Sequence, residues 1–301
     1  MKLSIKRFPD TKNHATFFVL LVCITCPSAY VYAQHNVTDS AVQIGDSCFG
    51  EGLYQEAVTE YMRFLHFNPG HPASSAINKS ASVACFFAGD MDGFIKYGRR
   101  SIMTAISEAE KKAAAFAFVE WCLAGREYEQ ADTELEALLG EYDDTQTMVT
   151  AAFYLGVSAL YTKRWERCGM MFAEYFKRTD TFPLITEGRV LSLIEFAQKG
   201  QYRDPGFASV LSAIIPGLGQ MYAGDFFQGV NSMAVNASTI ALLVTALVNV
   251  RIPDAVLVYV FAFHRFYVGS SYHAKRIARE YNAQKQRMIA AGIMNLLIAD
   301  P

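Results

Sequence analysis

The sequence lacks the patterns that mark common enzymes and nucleic-acid-binding proteins. None of its 301 residues form a glycine-rich phosphate loop, an H-E-x-x-H pair or a G-x-S-x-G turn, the motifs of nucleotide, zinc-protease and serine-hydrolase sites. Residues 34–200 hold fifteen basic against twenty-three acidic residues. Because binding to phosphates requires a basic surface, we expect no nucleic-acid partner, and we also expect no enzymatic activity and no cofactor.

The N-terminus has the three parts of a secretory signal peptide. Four basic residues precede the apolar run Phe17–Ile24, and the segment ends at the small residue Ala33. This pattern predicts that residues 1–33 are removed and the remainder is exported. An uncleaved anchor is the alternative, although the run is short for a membrane span. Lipoprotein processing at Cys23 or Cys26 is a minor alternative, because neither cysteine follows the required small residues.

Residues 34–200 contain a recurring pattern of small and aromatic residues. The spacing of the copies is measured between the small residues of their second helices. These residues, Ala57, Gly93, Ala131 and Cys168, are separated by 36, 38 and 37 residues. The first copy is the clearest, with a small residue in the first helix, a second small residue twelve positions later, an aromatic four beyond that and a closing proline. The residues of this pattern are Gly45, Tyr54, Ala57, Tyr61 and Pro69, then Ala81, Gly93 and Tyr97, then Val119, Tyr128, Ala131 and Leu135, then Gly156, Trp165, Cys168 and Phe172.

This spacing resembles the tetratricopeptide repeat, whose period is about 34 residues. The resemblance implies a stacked α-solenoid of antiparallel helix pairs with a concave face. Small residues allow the two helices to approach closely, and the aromatic fills the gap to the next pair. We therefore expect a peptide or a helix of an unidentified protein partner to bind in the groove, and the acidic excess favours a basic or neutral partner.

The cysteines and acidic residues of this region are explained by packing and by solvent exposure, without a metal or catalytic site. Cys48, Cys85 and Cys122 stand 37 residues apart, so they occupy equivalent positions in successive helices, too far apart for disulfides. We predict that they are small buried packing residues rather than metal ligands. The acidic residues between 127 and 144 are predicted to form a solvated helix face and a loop. His66 and His71 are predicted to flank a turn and to be exposed.

The last hundred residues contain long apolar runs in place of the recurring pattern of residues 34–200. Met233–Val250 contains no charged residue and would reach roughly 27 Å as a helix, close to the thickness of a hydrocarbon core. A second apolar stretch follows at 255–272, and a basic, amphipathic helix is predicted at 275–298. Residues 201–206 are polar and predict a linker. We therefore expect a membrane domain at 207–301 with spans at about 232–250 and 255–272, contacting lipid.

The segment Ser209–Gly224, SVLSAIIPGLGQMYAG, is the most distinctive in the chain. It resembles the S-x-x-x-PG-x-GQ-x-Y-x-G signature of small bacterial envelope membrane domains of unknown function, and the resemblance covers about residues 206–282. It implies a membrane location and no particular chemistry. The residues that carry it are Pro216, Gly217, Gly219, Gln220, Tyr222 and Gly224, followed by His264, Arg265, Tyr267 and Gly269.

Local chemistry predicts a helix from Phe207 to Ile215 that breaks at Pro216, because proline lacks a backbone donor and the following glycines permit a bend. Residues 207–223 are then either re-entrant or spanning, with Gln220 and Tyr222 near the lipid headgroups. Asn236 is expected to bond to the other helix of the hairpin. Arg265 is either functional, or snorkels, or marks the end of a span.

These observations predict an all-α protein, an α-solenoid of tetratricopeptide-like hairpins followed by a C-terminal transmembrane helical hairpin. We expect a bacterial inner-membrane protein whose repeats form a periplasmic protein-binding scaffold. The alternative gives the membrane module a direct role in solute or lipid passage or in membrane-protein assembly. The basic C-terminal tail favours the cytoplasm, so export of the repeats requires three crossings, whereas two crossings leave the tail outside.

Overall fold

The computed structural model describes residues 40–179, 182–200 and 202–299, and all regular structure in these ranges is helical. The predicted signal peptide, residues 1–33, lies outside the described residues. The chain forms two compact units that divide between Glu187 and Gly188. The predicted all-α class is confirmed for the described residues.

The first unit consists of four consecutive helical hairpins, each packed on the next. This arrangement agrees with the four predicted copies of the repeat. The α-solenoid with a concave face stays a prediction. Its helices, in chain order, are α1 (Ser40–Glu51), α2 (Tyr54–Phe67), α3 (Ser74–Ala88), α4 (Met91–Met103), α5 (Glu108–Gly125), α6 (Tyr128–Glu141), α7 (Thr145–Tyr161) and α8 (Trp165–Arg178).

The turn inside each hairpin repeats with a constant period of 37 residues. Gly52, Gly89, Arg126 and Lys163 occupy the same turn position, and each has a positive φ, between 62° and 82°. In each turn the next residue donates its N–H to a carbonyl five positions back, at 2.8–2.9 Å. This is the geometry of a left-handed helix C-cap, which satisfies carbonyls that the helix leaves free. The turns therefore set a stricter period than the packing residues do.

The cysteine period has its explanation in these turns. The carbonyl acceptors are those of Cys48, Cys85 and Cys122, and Ala159 takes the fourth position. Cys85, Cys122 and Cys168 are buried free thiols, and Cys48 is partly buried. Of the three cysteines predicted to be small buried residues, Cys85 and Cys122 are buried and Cys48 is only partly so. A small side chain suits Cys85, because a Cβ atom on Gly93 of the other helix would lie 2.8 Å from its Sγ.

The predicted small and aromatic residues meet inside the hairpins. A Cβ atom on Gly45 would lie 2.7 Å from the ring of Tyr61, and one on Gly156 would lie 3.1 Å from the ring of Phe172. Both rings are fully buried. Ala57, Gly93, Ala131 and Cys168 are buried as well. Tyr54 is partly buried against Phe49 and Phe87, and Pro69 is exposed in the turn after α2.

The predicted solvated acidic face on α6 holds for Glu129 and Glu136, which are exposed, but not for Asp132, which is only 8% exposed. Carboxylates of α6 form ion pairs with arginines of α4, of α8 and of the turn before α8. Sequence spacing could not show this, because the partners lie about one repeat away. The pairs are Arg99 with Glu134 at 3.0 Å, Arg167 with Glu136 at 2.6 Å, and Arg164 with Asp132.

His71 also differs from the expectation of an exposed turn residue. It is partly buried, its Nδ1 accepts the N–H of Ala73 at 3.1 Å, and its ring packs edge-on against Phe64 with centroids 5.2 Å apart. His66, by contrast, is exposed. His71 therefore closes the turn between α2 and α3.

The second unit begins within α9 (Leu184–Lys199) and contains one long apolar helix and one long basic helix. Asp204 caps α10 by accepting the N–H groups of Gly206 and Phe207, so the non-helical part of the predicted linker is short. The remaining helices are α10 (Pro205–Ile214), α11 (Leu218–Tyr222), α12 (Phe226–Val248), α13 (Ile252–Leu257), a π-helical segment (Val258–Phe263) and α14 (His264–Ala299).

Two helix boundaries in this unit differ from the predicted ones. The first predicted span, 232–250, starts earlier, because Asp225 caps α12 by accepting the N–H of Gln228 at 2.9 Å. The second predicted span, 255–272, and the amphipathic helix, 275–298, are not separate elements. Helical structure runs without a break from Ile252 to Ala299, and no proline stands between Pro253 and Pro301 to end it,.

Candidate functional site

The signature segment folds as two short helices joined by a tight bend. The helix before the bend ends at Ile214, ahead of Pro216 as predicted, and Gly217 has φ of 99°. Such a backbone conformation strains any residue with a Cβ atom. The bend turns α11 back onto α10, and the two helices pack together. Pro216 and Gly217 therefore reverse the chain within a few residues.

Three signature glycines are positions where no side chain fits. A Cβ atom on Gly219 would overlap the carbonyl oxygen of Ala208, and one on Gly217 would overlap that of Gly229. A Cβ atom on Gly224 would overlap the guanidinium of Arg203. At Gly217 and Gly219 backbone packs against backbone, so their presence in the motif has a packing reason, whereas Gly224 faces a side chain. By contrast, a Cβ atom on Gly269 would meet no atom within 4 Å.

Ser270 is the polar centre of this arrangement and joins both halves of the signature. Its Oγ accepts the N–H of Gly217 at 3.1 Å and lies 3.0 Å from the hydroxyl of Ser232, which donates to it. Its carbonyl accepts a longer bond, 3.4 Å, from Nε2 of Gln220. Nearby, the Oγ of Ser212 accepts the N–H of Gly219 at 3.1 Å. The bend is thus held by hydroxyl groups from α10, α12 and α14.

The base of the bend is held by a second set of bonds to the backbone. Asn282 on α14 accepts the N–H of Arg203 at 2.9 Å and donates to its carbonyl at 2.8 Å. The hydroxyl of Tyr222 accepts the N–H of Asp204 at 3.1 Å, and the hydroxyl of Tyr267 donates to the carbonyl of Ala213. These bonds fix α10 and α11 against α14.

The predicted polar residues separate into buried and exposed ones. Gln220 and Asn236 are 3% and 2% exposed, and each has a buried side-chain oxygen with no hydrogen-bond partner. Asn236 donates to the carbonyl of Ser232, one turn earlier in its own helix, at 2.8 Å, so the expected bond to another helix is replaced by a local one. His264 and Arg265 are exposed. Arg265 therefore does not line a buried polar cavity.

Ser212 is the serine of the S-x-x-x-PG part of the signature, and Ser270 directly follows Gly269, but neither was predicted to hold the bend. Ser232 lies outside the signature. Its bond to Ser270, 38 positions away, depends on helix packing and has no local sequence signal.

The core beside the bend of the second unit is built from small side chains. Ala208, Ala223, Ala274 and Ala278 are at most 1% exposed and pack with Ile277 and Tyr222. Larger buried side chains, such as Ile194 on α9 and Ile293 on α14, lie elsewhere in the unit, whereas the large apolar side chains of α12 and of the segment after it are mostly exposed. Between residues 226 and 261 the exposed ones are Phe226, Phe227, Val230, Ile240, Leu242, Val244, Leu247, Val248, Val250, Ile252, Val256, Leu257, Tyr259, Val260 and Phe261.

Helix α12 is the one helix in the described part of the chain that is long and apolar enough to cross a membrane. It has 23 residues and a mean hydropathy of 1.5, and only 17% of its most apolar window is buried. A core helix of a water-soluble protein is mostly buried, and a signal sequence lies near the N-terminus. Neither description fits a helix that starts at Phe226 and leaves its apolar side chains exposed.

In the first unit, the first helices of successive hairpins share a continuous strip of aromatic and charged residues. We name Lys79, Phe116, Glu120, Phe153 and Tyr154 the first-helix strip. The hydroxyl of Tyr154 donates to Glu120 at 2.7 Å, and the rings of Phe116 and Tyr154 are 6.2 Å apart. Burial lowers the pKa of Lys79, and the charge of Glu120 partly opposes this shift. The strip runs across α3, α5 and α7.

The buried thiols have low expected reactivity. Burial raises the pKa of Cys85 to about 11, with a further contribution from Asp90, and raises the pKa of Cys168 to about 12. A raised pKa disfavours the thiolate, which is the reactive and metal-binding form. Within residues 40–179, 182–200 and 202–299, no three His, Cys, Asp or Glu side chains are grouped to hold a metal ion.

Comparison with models of protein families, with curated proteins and with solved structures finds no match to this chain. The tetratricopeptide and envelope-domain resemblances therefore stay predictions.

Proposed function

We propose that this protein is a membrane-anchored scaffold, in which the second unit sits in a lipid bilayer and the first unit binds another protein. The observation that carries the proposal is the inverted packing around the bend and α12. Alanines fill the core beside the bend, and large exposed apolar side chains cover α12 and the segment after it. Small residues let helices approach closely in lipid, and lipid removes the cost of exposing large apolar ones.

Binding of a partner is supported by the first-helix strip. Phe116 and Phe153 are partly exposed, and aromatic side chains are common at protein interfaces because they bury a large area. The strip therefore offers a peptide or a helix an apolar surface. The acidic excess of the repeats favours a basic or neutral partner.

The location proposed for the scaffold is a bacterial inner membrane, with the repeats on the periplasmic side. Support comes from the export signal predicted at residues 1–33 and from the resemblance of the signature. Three crossings would place the basic residues of α14 in the cytoplasm, as the charge distribution favours, but they require residues 207–223 to span the membrane. Because α11 turns back onto α10, we favour two crossings, which put the C-terminus on the same side as the repeats.

Membrane insertion is tested by accessibility of two matched cysteine substitutions in a cysteine-free background. Leu242 on α12 is 58% exposed and Ile106 in the first unit is 73% exposed, so both are open to solvent in the isolated chain. On intact membranes, a water-soluble maleimide should modify Ile106→Cys and leave Leu242→Cys unmodified until detergent is added. Equal modification of both, together with release of the protein by alkaline carbonate, would contradict the proposal.

Partner binding is tested by photo-crosslinking in the full-length protein. A benzophenone amino acid in place of Phe116 or Phe153 should give a discrete crosslinked product in cells. The matched control is Met170, which lies on second helix α8 and is 55% exposed. The scaffold proposal fails if the strip positions give no product, or the same products as Met170.

A further inference from the structure

A cleft of about 480 Å³ lies between α9 and α14 within the second unit. This volume falls in the range of about 300–1,000 Å³ that small-molecule sites occupy. Leu193 and Phe196 line it from α9, and Met288, Ile289 and Gly292 line it from α14. Gly292 contributes no side chain, and the nearest atom to a Cβ placed there is Cδ1 of Leu193 at 3.8 Å. The missing side chain keeps this end of the cleft open.

The apolar lining is only partly covered by the protein itself. Ile289 is 7% exposed and forms the floor, whereas Phe196 and Met288 are 54% and 62% exposed. Exposed large apolar groups that gather around a concavity mark a binding surface more often than isolated ones do. The cleft is therefore shaped to receive an apolar group.

One end of the cleft is basic. Lys285 lies at this end, with its Nζ 5.1 Å from the ring centroid of Phe196 and 5.5 Å from that of Tyr202. From Tyr281 to Ala299, α14 has no acidic residue, and it carries Arg287 as a second cation. A ligand that lies along α14 thus meets a positive charge at Lys285 and apolar side chains as far as Gly292, a distance of about 10 Å.

We propose that this cleft binds a long-chain fatty acid, with its carboxylate at Lys285 and the first part of its acyl chain between α9 and α14. The apolar lining from Phe196 to Gly292 covers that part of the chain, and the basic end of the cleft matches an amphiphile with one anionic end. The lysine stem can cover the start of the chain while its ammonium contacts the carboxylate. The site does not depend on partner binding by the first unit, nor on the crossing of a membrane by α12.

The experiment uses the full-length protein in nanodiscs of zwitterionic lipid. Phe196→Trp places a fluorophore in the cleft, and 9,10-dibromostearic acid quenches tryptophan on contact. The parent protein, with Trp121 and Trp165, supplies the background. We expect saturable quenching that unbrominated palmitate reverses. Phe227→Trp is the control for partition into bulk lipid, because Phe227 is 85% exposed on α12, and its quenching should rise without saturation.

Three further comparisons test the geometry. Gly292→Leu should fill the cleft and abolish saturable quenching, and Lys285→Gln should weaken binding by about two- to fivefold, the usual contribution of a partly exposed ion pair. Lys285→Arg should restore it, and the methyl ester of the probe should bind the parent cleft as weakly as the acid binds Lys285→Gln. The lysine variants change a surface residue, so they remain informative if Gly292→Leu misfolds.

The proposal is overturned if quenching of Phe196→Trp rises with probe concentration without saturating, as that of Phe227→Trp does. It is also overturned if the acid and its methyl ester bind Lys285→Gln and the parent equally. Saturable quenching by dibromo-phosphatidylglycerol alone, without the fatty acid, would assign the cleft to a phospholipid and reject the single-chain ligand.

Discussion

The hairpins of the first unit and the region around α12 in the second unit place apolar side chains in opposite ways. In the first unit, large aromatic residues such as Tyr61, Phe94 and Phe172 are fully buried, and ion pairs join successive second helices on the outside. Around α12, alanines occupy the core beside the bend, and aromatic residues such as Phe227 and Phe261 are 85% and 70% exposed. The difference indicates two solvents, water for the hairpins and lipid for the C-terminal helices.

The comparison also separates two ways of holding helices together. The hairpins rely on burial of aromatic rings in spaces that glycines leave open, which is favourable in water. The C-terminal unit relies on backbone contacts at Gly217 and Gly219 and on hydroxyl groups around Ser270. Close backbone packing and hydrogen bonds remain effective where the hydrophobic effect contributes little.

The largest effect is expected at the bend of the second unit. Gly219→Ala should destabilise it by about 3 kcal/mol or more, because the new methyl group overlaps the carbonyl of Ala208,. Gly269→Ala is the matched control, since its methyl group meets no neighbour and alanine favours the helix. Thermal unfolding in detergent measures both. Equal stability of the two variants would show that the bend does not depend on close backbone packing.

A pair of phenylalanines compares the two solvents directly. Phe172→Ala should cost about 3–5 kcal/mol, because it leaves a cavity among fully buried side chains,. Phe227→Ala should change the stability of the protein in detergent by less than about 0.5 kcal/mol, since its ring is 85% exposed,. Chemical denaturation followed by circular dichroism gives both values. A large loss at Phe227 would mean that α12 is covered by protein rather than by lipid.

The turns of the first unit should respond in opposite directions. Gly89→Ala should lose about 1 kcal/mol, whereas Arg126→Gly should gain about 0.5–1 kcal/mol, because only glycine adopts a positive φ without strain. Both positions have the same turn geometry, with φ of 79° and 66°. Melting temperatures of the two variants against the parent give the signs. The same sign for both would show that the side chain, and not the backbone conformation, decides stability there.

The smallest effect concerns the thiols of the first unit. At pH 8, Cys85 and Cys168 should remain unmodified by iodoacetamide, because burial raises their pKa values to about 11 and about 12 and leaves them protonated. Partly buried Cys48 should react first. Mass spectrometry before and after unfolding in urea gives the rates. Rapid modification of all four cysteines in the folded protein would show that the hairpin interior is open to water.

Much of the first unit could be predicted from its sequence. Gly45, Ala57 and Tyr61 begin a pattern of small and aromatic residues that recurs along the chain and predicts packed helix pairs. The second helices of the hairpins recur at a similar, constant spacing. The ion pairs of α6 could not be predicted, since Arg99 and Glu134 are 35 positions apart and their approach depends on how the hairpins stack. The left-handed turns at Arg126 and Lys163 were also missed, because those residue types do not indicate a positive φ.

Less of the second unit followed from residue patterns. Pro216 correctly predicted the break after α10, and the missing charge between Met233 and Val250 predicted an apolar helix. The role of Ser270 was not predicted, because a serine in a helix gives no sign of which backbone groups it will meet. The continuous run from Ile252 to Ala299 was divided too early, because a change from apolar to basic composition alters the surroundings of a helix without ending it.

What the sequence determined by itself was local: the helical class, the period of the hairpins, the break at Pro216 and the apolar length of α12. These depend on backbone propensity and on the spacing of side chains along one helix. Tertiary structure alone decided which glycines face a backbone, which acids find an arginine, and that Gln220 is buried while Arg265 is exposed. Those outcomes depend on contacts between residues far apart in the chain, and such contacts exist only once the helices have packed.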